Sequence, residues 1–572
     1  SPIEVAGKAT CVGRILFKNV LPPGTPYDGG TVTNNVLNSI YTHVGKNNSP
    51  AVTADTVTKI KDLGNHFITA ETGGFSVSLK DLEIDKNFRD NLFKSFVGVK
   101  DKKKFAEVAQ HVGKQLDDHL KTLTETNRFA LAAVGSGALG KAGQLRQLIL
   151  SPVAVSDHTG ETVPVAIPKS YAEGHDIASY LNTTPGARKG LIDKGLSVAD
   201  TGYGSRLIVN SNIEQRITIP DCGTTDGRIY ALTDRNCADR YVADGPHKGE
   251  VVSDVARRQW IAAGEKEVKV RSPLTCKASG GVCQKCFGLD ENGRLPRIGF
   301  HIGVLAGQTV GERATQLTLR AFHSGGAVGS AKVGFDRIKE LIQLPQNLKG
   351  KAVLASVSGT VTSVVPAPAG GFYVTINQTR HFVPQEMGVN VSRGQRVSAG
   401  DPITSPVDSS GTHIIKPQEL LEITGDIRRT QDYLLQELDK NYSGAIKHRI
   451  FETVLKPLTE KVKVTDVPAQ AVSSGLSPGD VVNVNHVNDI NKQLEAKGLP
   501  RVRFEHQLYG IKQAPLHSDD FVGALAHESL KKTLMAAPAV GLKARLKGGH
   551  PLTELTFKNF RSVDTVKKSG RT

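Results

Sequence analysis

The sequence predicts an α+β protein of several domains, and three observations carry this prediction. Helical periodicity runs through long segments such as residues 31–64 and 87–128. Short alternating strands between turn residues fill residues 349–408, which is typical of a small β barrel or sandwich. Four cysteines at metal-ligand spacing lie between these two kinds of segment. A chain of 572 residues is long enough for roughly four domains.

The composition favours a negatively charged partner. The chain has 72 Lys and Arg against 56 Asp and Glu, which gives a formal net charge of +16. Such an excess is typical of proteins that bind nucleic acid or an acidic surface, and ordinary solubility is the alternative explanation. Six cysteines in the whole chain exclude a disulfide-rich secreted scaffold and fit a reducing compartment.

We expect a soluble protein without a membrane segment. The first twenty residues lack the basic, apolar and small-residue layout of a signal peptide. The longest apolar region, residues 129–155, is interrupted by glycines, Lys141, Arg146 and Pro152. No uninterrupted apolar span of about 20 residues therefore exists.

The N-terminal part is predicted to begin with strands and to continue in helices. Residues 1–30 alternate apolar and polar positions before the turn LPPGTPYDGG, which indicates one or two strands. Farther on, residues 127–155 combine small residues with a polar cluster of Gln144, Arg146 and Gln147. From the residues alone, a glycine-rich helix entry packed in a core is the simpler interpretation of that segment.

Residues 185–208 are predicted to form a helix with Gly190, Gly195, Gly202 and Gly204 in its interior. Apolar residues recur there mostly at steps of three and four. Each glycine costs a helix about 0.5–1 kcal/mol relative to alanine. Such a helix is either held firmly by its surroundings or required to bend, and an irregular helix at a domain joint is the alternative.

The cysteines predict a structural zinc site. Cys222 lies in a PDCGTTDGR turn, and Cys276, Cys283 and Cys286 follow with six and then two residues between them. Four thiolates complete a tetrahedral site that leaves no position open for water, and the CxxC pair lets one tight turn deliver two ligands. A redox-active CxxC is the alternative, but it leaves the other two cysteines unexplained.

Residues 308–322 predict a helix, with a stop at the glycines 325 and 326. Helical spacing places Gln316, Leu319, Arg320 and His323 on one stripe. This stripe would make a poor core face, because its cations would need buried partners. It suits a nucleotide better, since Leu319 can lie against a base while the cations reach sugar or phosphate oxygens. A surface helix with incidental cations is the alternative.

These motifs resemble the largest subunit of bacterial-type multisubunit DNA-directed RNA polymerase. GVLAGQTVGERATQLTLRAFHSGGA is similar to the family's trigger-loop motif, and PGARKGLIDKGLSVADTGYGSRLI is similar to its bridge helix. The family also binds zinc through one cysteine plus three. The resemblance covers the chain almost end to end and is to the C-terminal half of the β′ subunit. It implies a barrel-sandwich hybrid domain and a helical C-terminal clamp region.

The resemblance implies roles for individual residues. The trigger-loop residues that would act on the nucleotide are Gln316, Leu319, Arg320 and His323. The residues that would contact nucleic acid or the nucleoside triphosphate are Gln144, Arg146, Gln147, Arg188, Lys189, Ala199, Thr201, Tyr203 and Arg206. Three departures from the family stand out: Leu319 replaces Met, Ala321 replaces Thr, and Leu139 stands where an arginine is usual. The contacts that the lost hydroxyl and guanidinium would make are therefore absent or supplied by other groups.

The family's NADFDGD loop, which holds two catalytic Mg²⁺ ions, has no counterpart in these residues. We therefore expect the chain to be inactive alone and to need an N-terminal β′ chain with that loop, β chains, template DNA, transcript RNA and nucleoside triphosphates. The division is most like that of giant-bacteriophage polymerases, which implies the cytoplasm of a bacterial host or the virion. A non-catalytic zinc protein derived from β′, which binds nucleic acid or a polymerase, is the alternative.

We divide the chain into seven predicted segments. They are a mixed segment that follows the catalytic-loop region, an active-centre lining, the bridge helix, the zinc-binding element, the trigger loop with its flanking helices, the barrel-sandwich hybrid, and the clamp with its basic tail. Their bounds are residues 1–126, 127–179, 180–215, 216–300, 301–345, 346–416 and 417–572.

Overall fold

A computed structural model gives the structure of the chain. It describes residues 2–5, 8–71, 78–83, 86–135, 140, 142–155, 157, 162–322, 335–348, 350–368, 370–406 and 413–517. The described residues form two compact units, the first of which consists of the residues up to Lys194 together with Phe322. The second comprises Gly195–Ala321 and the described residues after Lys332. The predicted stop at residues 325 and 326 and the basic tail after Gly541 lie outside the described residues.

The first unit opens with an antiparallel hairpin of β1 (Pro2–Val5) and β2 (Lys8–Cys11), as the alternating pattern predicts. The one or two strands predicted within residues 1–30 end at Cys11, and helix α1 (Val12–Asn19) follows them before the turn. Apolar residues recur in α1 at helical steps, so that Phe17 is buried with its ring 5.1 Å from that of Tyr27.

Helices build the rest of the first unit, as the periodicity predicts. They are α2 (Asn34–Asn47), α3 (Pro50–His66), α4 (Lys86–Phe93), α5 (Lys102–Thr122), α6 (Arg128–Ala130) and α7 (Ala142–Leu145). Asp101 caps α5 by accepting a hydrogen bond from the Lys104 amide. One face of α5 carries the core of the unit: Phe105, Ala109, Val112, Leu116 and Leu120.

A continuous helix of 35 residues, α8 (Ile177–Ser211), includes the glycine-rich segment predicted as helix. It holds Pro185 inside, which cannot donate a backbone hydrogen bond. The division between the two compact units falls within this helix.

The second unit contains the remaining helices and three small antiparallel sheets. Its helices are α9 (Asp254–Ala262), α10 (Gln284–Phe287), α11 (Ile302–Phe322), α12 (Phe335–Gln343), α13 (Pro417–Thr424), α14 (Ile427–Asn441), α15 (His448–Thr459) and α16 (Val484–Ala496). Its largest core cluster joins the C-terminal turns of α8 to α11, α12, α14 and α15. None of the helices in the part of the chain described here has the length and apolarity that crossing a membrane requires.

The sheets of the second unit are made by neighbouring segments. Their strands are β3 (Arg228–Ala231), β4 (Glu267–Val270), β5 (Gly359–Pro366), β6 (Phe372–Ile376), β7 (Thr379–Val383), β8 (Arg396–Val397), β9 (Lys461–Asp466), β10 (Val481–Asn483) and β11 (Arg503–His506). β3 pairs with β4, and the other two sheets have the orders β7-β6-β5-β8 and β10-β9-β11. The four-stranded sheet confirms the short strands predicted from the alternation in residues 349–408.

Candidate metal centre and helix pair

The four cysteines predicted as metal ligands come together in the second unit. Their sulfurs all lie within 4.8 Å of one another, and three of the four residues are buried. The Sγ of Cys222 lies 3.6 Å from that of Cys286 and 3.7 Å from that of Cys276. A zinc–sulfur bond of about 2.3 Å gives a tetrahedron with edges of about 3.8 Å, so these four sulfurs fit a zinc ion.

Local structure explains how the ligands reach one point. Cys283 caps α10, and Cys286 lies within that helix, so that one turn delivers both. Gly281 just before them has a φ of +154°, and a Cβ there would lie 2.2 Å from the Arg216 carbonyl oxygen. Any other residue at position 281 would push the CxxC turn away from the segment that leads to Cys222.

Hydrogen bonds to sulfur favour the charged thiolates. The Cys283 amide donates to the Cys276 sulfur at 3.2 Å, and the Cys286 amide donates to the Cys283 sulfur at 3.3 Å. Hydrogen bonding with the sulfur of Cys276, and then with those of the other two cysteines, lowers the pKa of Cys222 well below its usual range. The same contacts raise the pKa of Cys276 and Cys286, so the first thiolate of the group forms at Cys222. The arrangement can therefore hold a soft divalent cation.

A buried ion pair joins the cysteine-bearing segment to α15. The Arg240 guanidinium donates to both carboxylate oxygens of Glu452 at 2.8 and 2.9 Å, and Glu452 is fully buried. Ser272 and Tyr230 add hydroxyl hydrogen bonds of 2.7 and 2.9 Å to the same carboxylate. Burial by itself would raise the pKa of Glu452, but Arg240 holds that pKa below its ordinary value.

α8 and α11 pack closely through three glycines of α11. A Cβ on Gly303 would lie 1.9 Å from the Asn212 carbonyl oxygen. The corresponding distances are 3.0 Å from Gly307 to the Val209 Cα and 2.6 Å from Gly311 to the Ser205 Oγ. These glycines recur every four residues and therefore share one helix face, where they let the two backbones approach.

A shallow groove of about 610 Å³ lies beside this contact. Both helices contribute polar side chains to its walls, and its lining residues are Gly202, Ser205, Arg206, Val209, Asn210, Gln308, Glu312 and Thr315. The groove therefore presents hydroxyl, amide and charged groups beside the contact between α8 and α11.

Several of the predicted nucleotide-contacting residues lie on this pair. On α8, Thr201 is buried, whereas Ala199, Tyr203 and Arg206 are exposed. On α11, Gln316 is half-buried, accepts a hydrogen bond from Arg313 at 2.9 Å and donates one to Glu312 at 3.1 Å. Leu319 and Arg320 belong to the C-terminal end of α11, but their side chains and all of His323 lie outside the described residues. The stripe that they were predicted to form with Gln316 stays a prediction.

The other predicted contact residues lie in the first unit. Gln144 is exposed, whereas Arg146 and Gln147 are buried. Arg146 donates to the Asp117 carboxylate at 3.2 Å. Arg188 is exposed on α8, and the side chain of its neighbour Lys189 lies outside the described residues. Their contacts with nucleic acid stay predictions.

The sequence reasoning missed two features of this region. The first is the glycine stripe, whose signal was available because GVLAGQTVG repeats glycine at every fourth position. The second is the set of charged residues around the cysteines, which includes Asp221, Arg271 and Glu452. No local sequence pattern predicts this set of charged residues, because Glu452 lies 212 positions from its partner Arg240.

The helix pair and all four cysteines lie within one region that matches a known protein family. The family model described as RNA polymerase Rpb1, domain 5, matches residues 174–369. The chain is 30% identical to the DNA-directed RNA polymerase subunit beta' of Thermoanaerobacter sp. (strain X514), over 98% of this chain and 51% of that subunit. For the same subunit of Tropheryma whipplei (strain TW08/27) the identity is 28%, over 95% of this chain and 45% of that subunit.

The match extends to further bacteria. Against the beta' subunit of Desulforudis audaxviator (strain MP104C) the identity is 30%, over 97% of this chain and 51% of the relative. The chain thus spans about half the length of the curated relatives it matches. It belongs to the β′ family of DNA-directed RNA polymerase subunits and corresponds to a C-terminal part of that subunit.

Proposed function

We propose that the chain is the C-terminal β′ part of a DNA-dependent RNA polymerase, with α8 as its bridge helix and α11 as the first arm of its trigger loop. The observation that carries the proposal is the glycine-mediated contact of α11 with α8, because both helices lie within the family match. This contact fixes the N-terminal half of α11 against Ser205 and Val209 of α8 and against Asn212, which directly follows that helix. The end of α11 that bears Leu319 and Arg320 lies beyond it.

The proposed reaction is attack of the RNA 3′-hydroxyl on the α-phosphorus of the incoming triphosphate. Magnesium ions, bound by aspartates that lie outside these 572 residues, supply charge stabilisation for the attacking and leaving oxygens. Leu319 packs on the nucleotide base, and Arg320 donates hydrogen bonds to its phosphates. Closing these side chains over the triphosphate aligns it and excludes water.

His323 and Gln316 complete this proposed face. His323 either protonates the departing pyrophosphate or stabilises it as a positive, hydrogen-bonding group. Gln316 is already held by Arg313 and Glu312, so its amide is preorganised one turn below Leu319 and Arg320.

Other parts of the chain have supporting roles in the proposal. Zinc held by the four cysteines is structural, since four protein ligands complete its coordination. The exposed Tyr203 and Arg206 of α8, together with Arg188, face template or transcript. The four-stranded sheet is the barrel-sandwich hybrid, and residues 417–572 form the clamp segment.

Purification from the native source tests this proposal. The expected result is recovery of the chain with β chains and a polypeptide that carries NADFDGD, together with template-dependent RNA synthesis. Recovery of the chain alone, or with a complete host polymerase, would contradict it and support a non-catalytic binding protein. The same preparation tests the predicted phage origin, the need for a separate Asp-loop chain and the inactivity of this chain by itself.

A pair of matched variants tests the catalytic assignment within that assembly. His323→Gln should slow elongation by about 10²- to 10⁴-fold if the histidine is a general acid, and by less if it only positions phosphate. His66→Gln makes the same chemical change at an exposed position of α3 and should leave elongation unchanged. A wild-type elongation rate for His323→Gln across pH would rule out both proposed roles.

A further inference from the structure

One arginine outside the ligand set contacts the sulfurs of the metal centre. Arg271 follows β4 and is 5% exposed. Its Nη2 donates to the Cys222 sulfur at 3.2 Å and lies 3.6 Å from the Cys283 sulfur. Its Nη1 lies 2.6 Å from an Asp221 carboxylate oxygen. One guanidinium therefore contacts sulfurs from both of the segments that supply ligands.

Arg271 is also fixed from its backbone side. Its carbonyl oxygen accepts a hydrogen bond of 3.4 Å from Arg240, whose guanidinium is held by the buried Glu452. The neighbouring Ser272 donates its hydroxyl to the same carboxylate at 2.7 Å. Glu452 of α15 holds both Arg240 and Ser272, so a helix that supplies no metal ligand helps to position Arg271.

The positive charge of Arg271 is only partly neutralised by its carboxylate partner, so it can also stabilise the thiolates. Asp221 is shared between Arg271 and Lys285, whose Nζ lies 2.9 Å from the second carboxylate oxygen. A further cation that acts on the cysteines, Lys456, lies 3.3 Å from Glu460. Two cations thus share one carboxylate at Arg271, whereas the charge of Lys456 is matched by its own partner.

We propose that Arg271 is a positioning residue of the metal centre, which holds the Cys222 thiolate in place and offsets part of the charge of the four thiolates. The inference rests on the proposed zinc site. Four thiolates around a divalent ion carry a net charge of −2, which is costly among buried residues. A guanidinium that donates to two of them lowers that cost and withdraws electron density from sulfur.

Cys222 depends most on this support. It is half-buried, whereas Cys276, Cys283 and Cys286 are buried. It also lies 54 positions before the nearest of them, so no short turn connects it to the other ligands. The hydrogen bond from Arg271 fixes the ligand that the chain itself constrains least.

The test uses the full 572-residue chain loaded with Zn²⁺ or Co²⁺. Arg271→Gln removes the charge and the fork of donors, and we expect about 10- to 100-fold weaker zinc binding with faster release to a chromogenic chelator. In the Co²⁺-loaded chain the sulfur-to-cobalt charge-transfer band should move to lower energy, because sulfur loses its hydrogen bonds. A purely structural role of Arg271 would not move that band.

Two further variants separate charge from geometry. Arg271→Lys keeps the charge but cannot donate as a planar fork, so its zinc release should lie between those of wild type and Arg271→Gln. Lys285→Gln is the matched control, because it removes the other partner of Asp221 without touching sulfur. Its release rate should stay within about threefold of wild type.

The outcomes distinguish this inference from the metal site itself. If the wild-type chain retains no equivalent of metal, the proposed zinc site is wrong. If wild type retains metal and Arg271→Gln has the same release rate and the same band, the role of Arg271 is refuted. Should Arg271→Gln fail to fold, the band of the Arg271→Lys chain decides, and an unshifted band overturns the inference.

Discussion

The packing of α11 on α8 leads to a sharp prediction for Gly303→Ala. The added Cβ would lie 1.9 Å from the Asn212 carbonyl oxygen, where ordinary contact begins at 3.4 Å. The shortfall is about 1.5 Å (3.4 minus 1.9), and it falls on backbone that cannot rotate away. Such overpacking costs about 1–3 kcal/mol, and the higher helix propensity of alanine recovers up to about 1 kcal/mol. We expect a net loss of about 1–2 kcal/mol in the second unit.

The single tryptophan of the chain provides the assay. Trp260 lies in the second unit, is 5% exposed and stacks on His247, so its fluorescence reports the unfolding of that unit. With an m value of about 3 kcal/mol/M, the urea midpoint should fall by about 0.3–0.7 M. Gly202→Ala, in the part of α8 that belongs to the second unit, is the control, because a Cβ there meets nothing within 4 Å, and it should not lower the midpoint. An unchanged midpoint for Gly303→Ala would refute the close contact.

Three other changes give measurable results. Glu452→Gln should destabilise the second unit by about 3–5 kcal/mol in the same urea assay, because it leaves Arg240 as an unpaired buried charge; an equal midpoint would contradict that role. Although burial opposes it, Arg89 and the Ser170 amide lower the pKa of Glu173 to about 2, so its stabilising effect is present above pH 4.5 and is lost as the pH falls toward 2. Glu173→Gln should remove this acid-dependent loss in circular-dichroism melts between those pH values, and an unchanged slope would contradict it. Removing zinc with a chelator should lower the Trp260 midpoint in a way that added Zn²⁺ reverses, and a midpoint indifferent to metal would argue against a structural ion.

The helices could be predicted where a strong period extends over many residues. α5 places five apolar residues on one face within 21 residues. Residues 308–322, which were predicted as helix, all lie within α11. α1 has only eight residues and follows directly on a strand, so the alternation of the strand concealed its helical spacing. Short elements depend on their packing partners, here Phe17 against Tyr27, which sequence alone does not reveal.

The candidate site divides in the same way. The ligand set could be predicted because the spacing of Cys283 and Cys286 is itself a local geometric constraint. The support for that set could not, because Arg271 reaches Cys222 across 49 positions and Glu452 reaches Ser272 across 180. Such contacts arise only when distant segments fold together.

The most direct test of the account is a structure of the assembled polymerase on a primed template with a non-reactive nucleoside triphosphate. We expect α11 to remain packed on α8 through its glycines, with Arg320 and His323 against the triphosphate. A structure that held His323 tens of ångströms from the nucleotide and the catalytic magnesium ions, with α11 docked elsewhere, would contradict the proposed function.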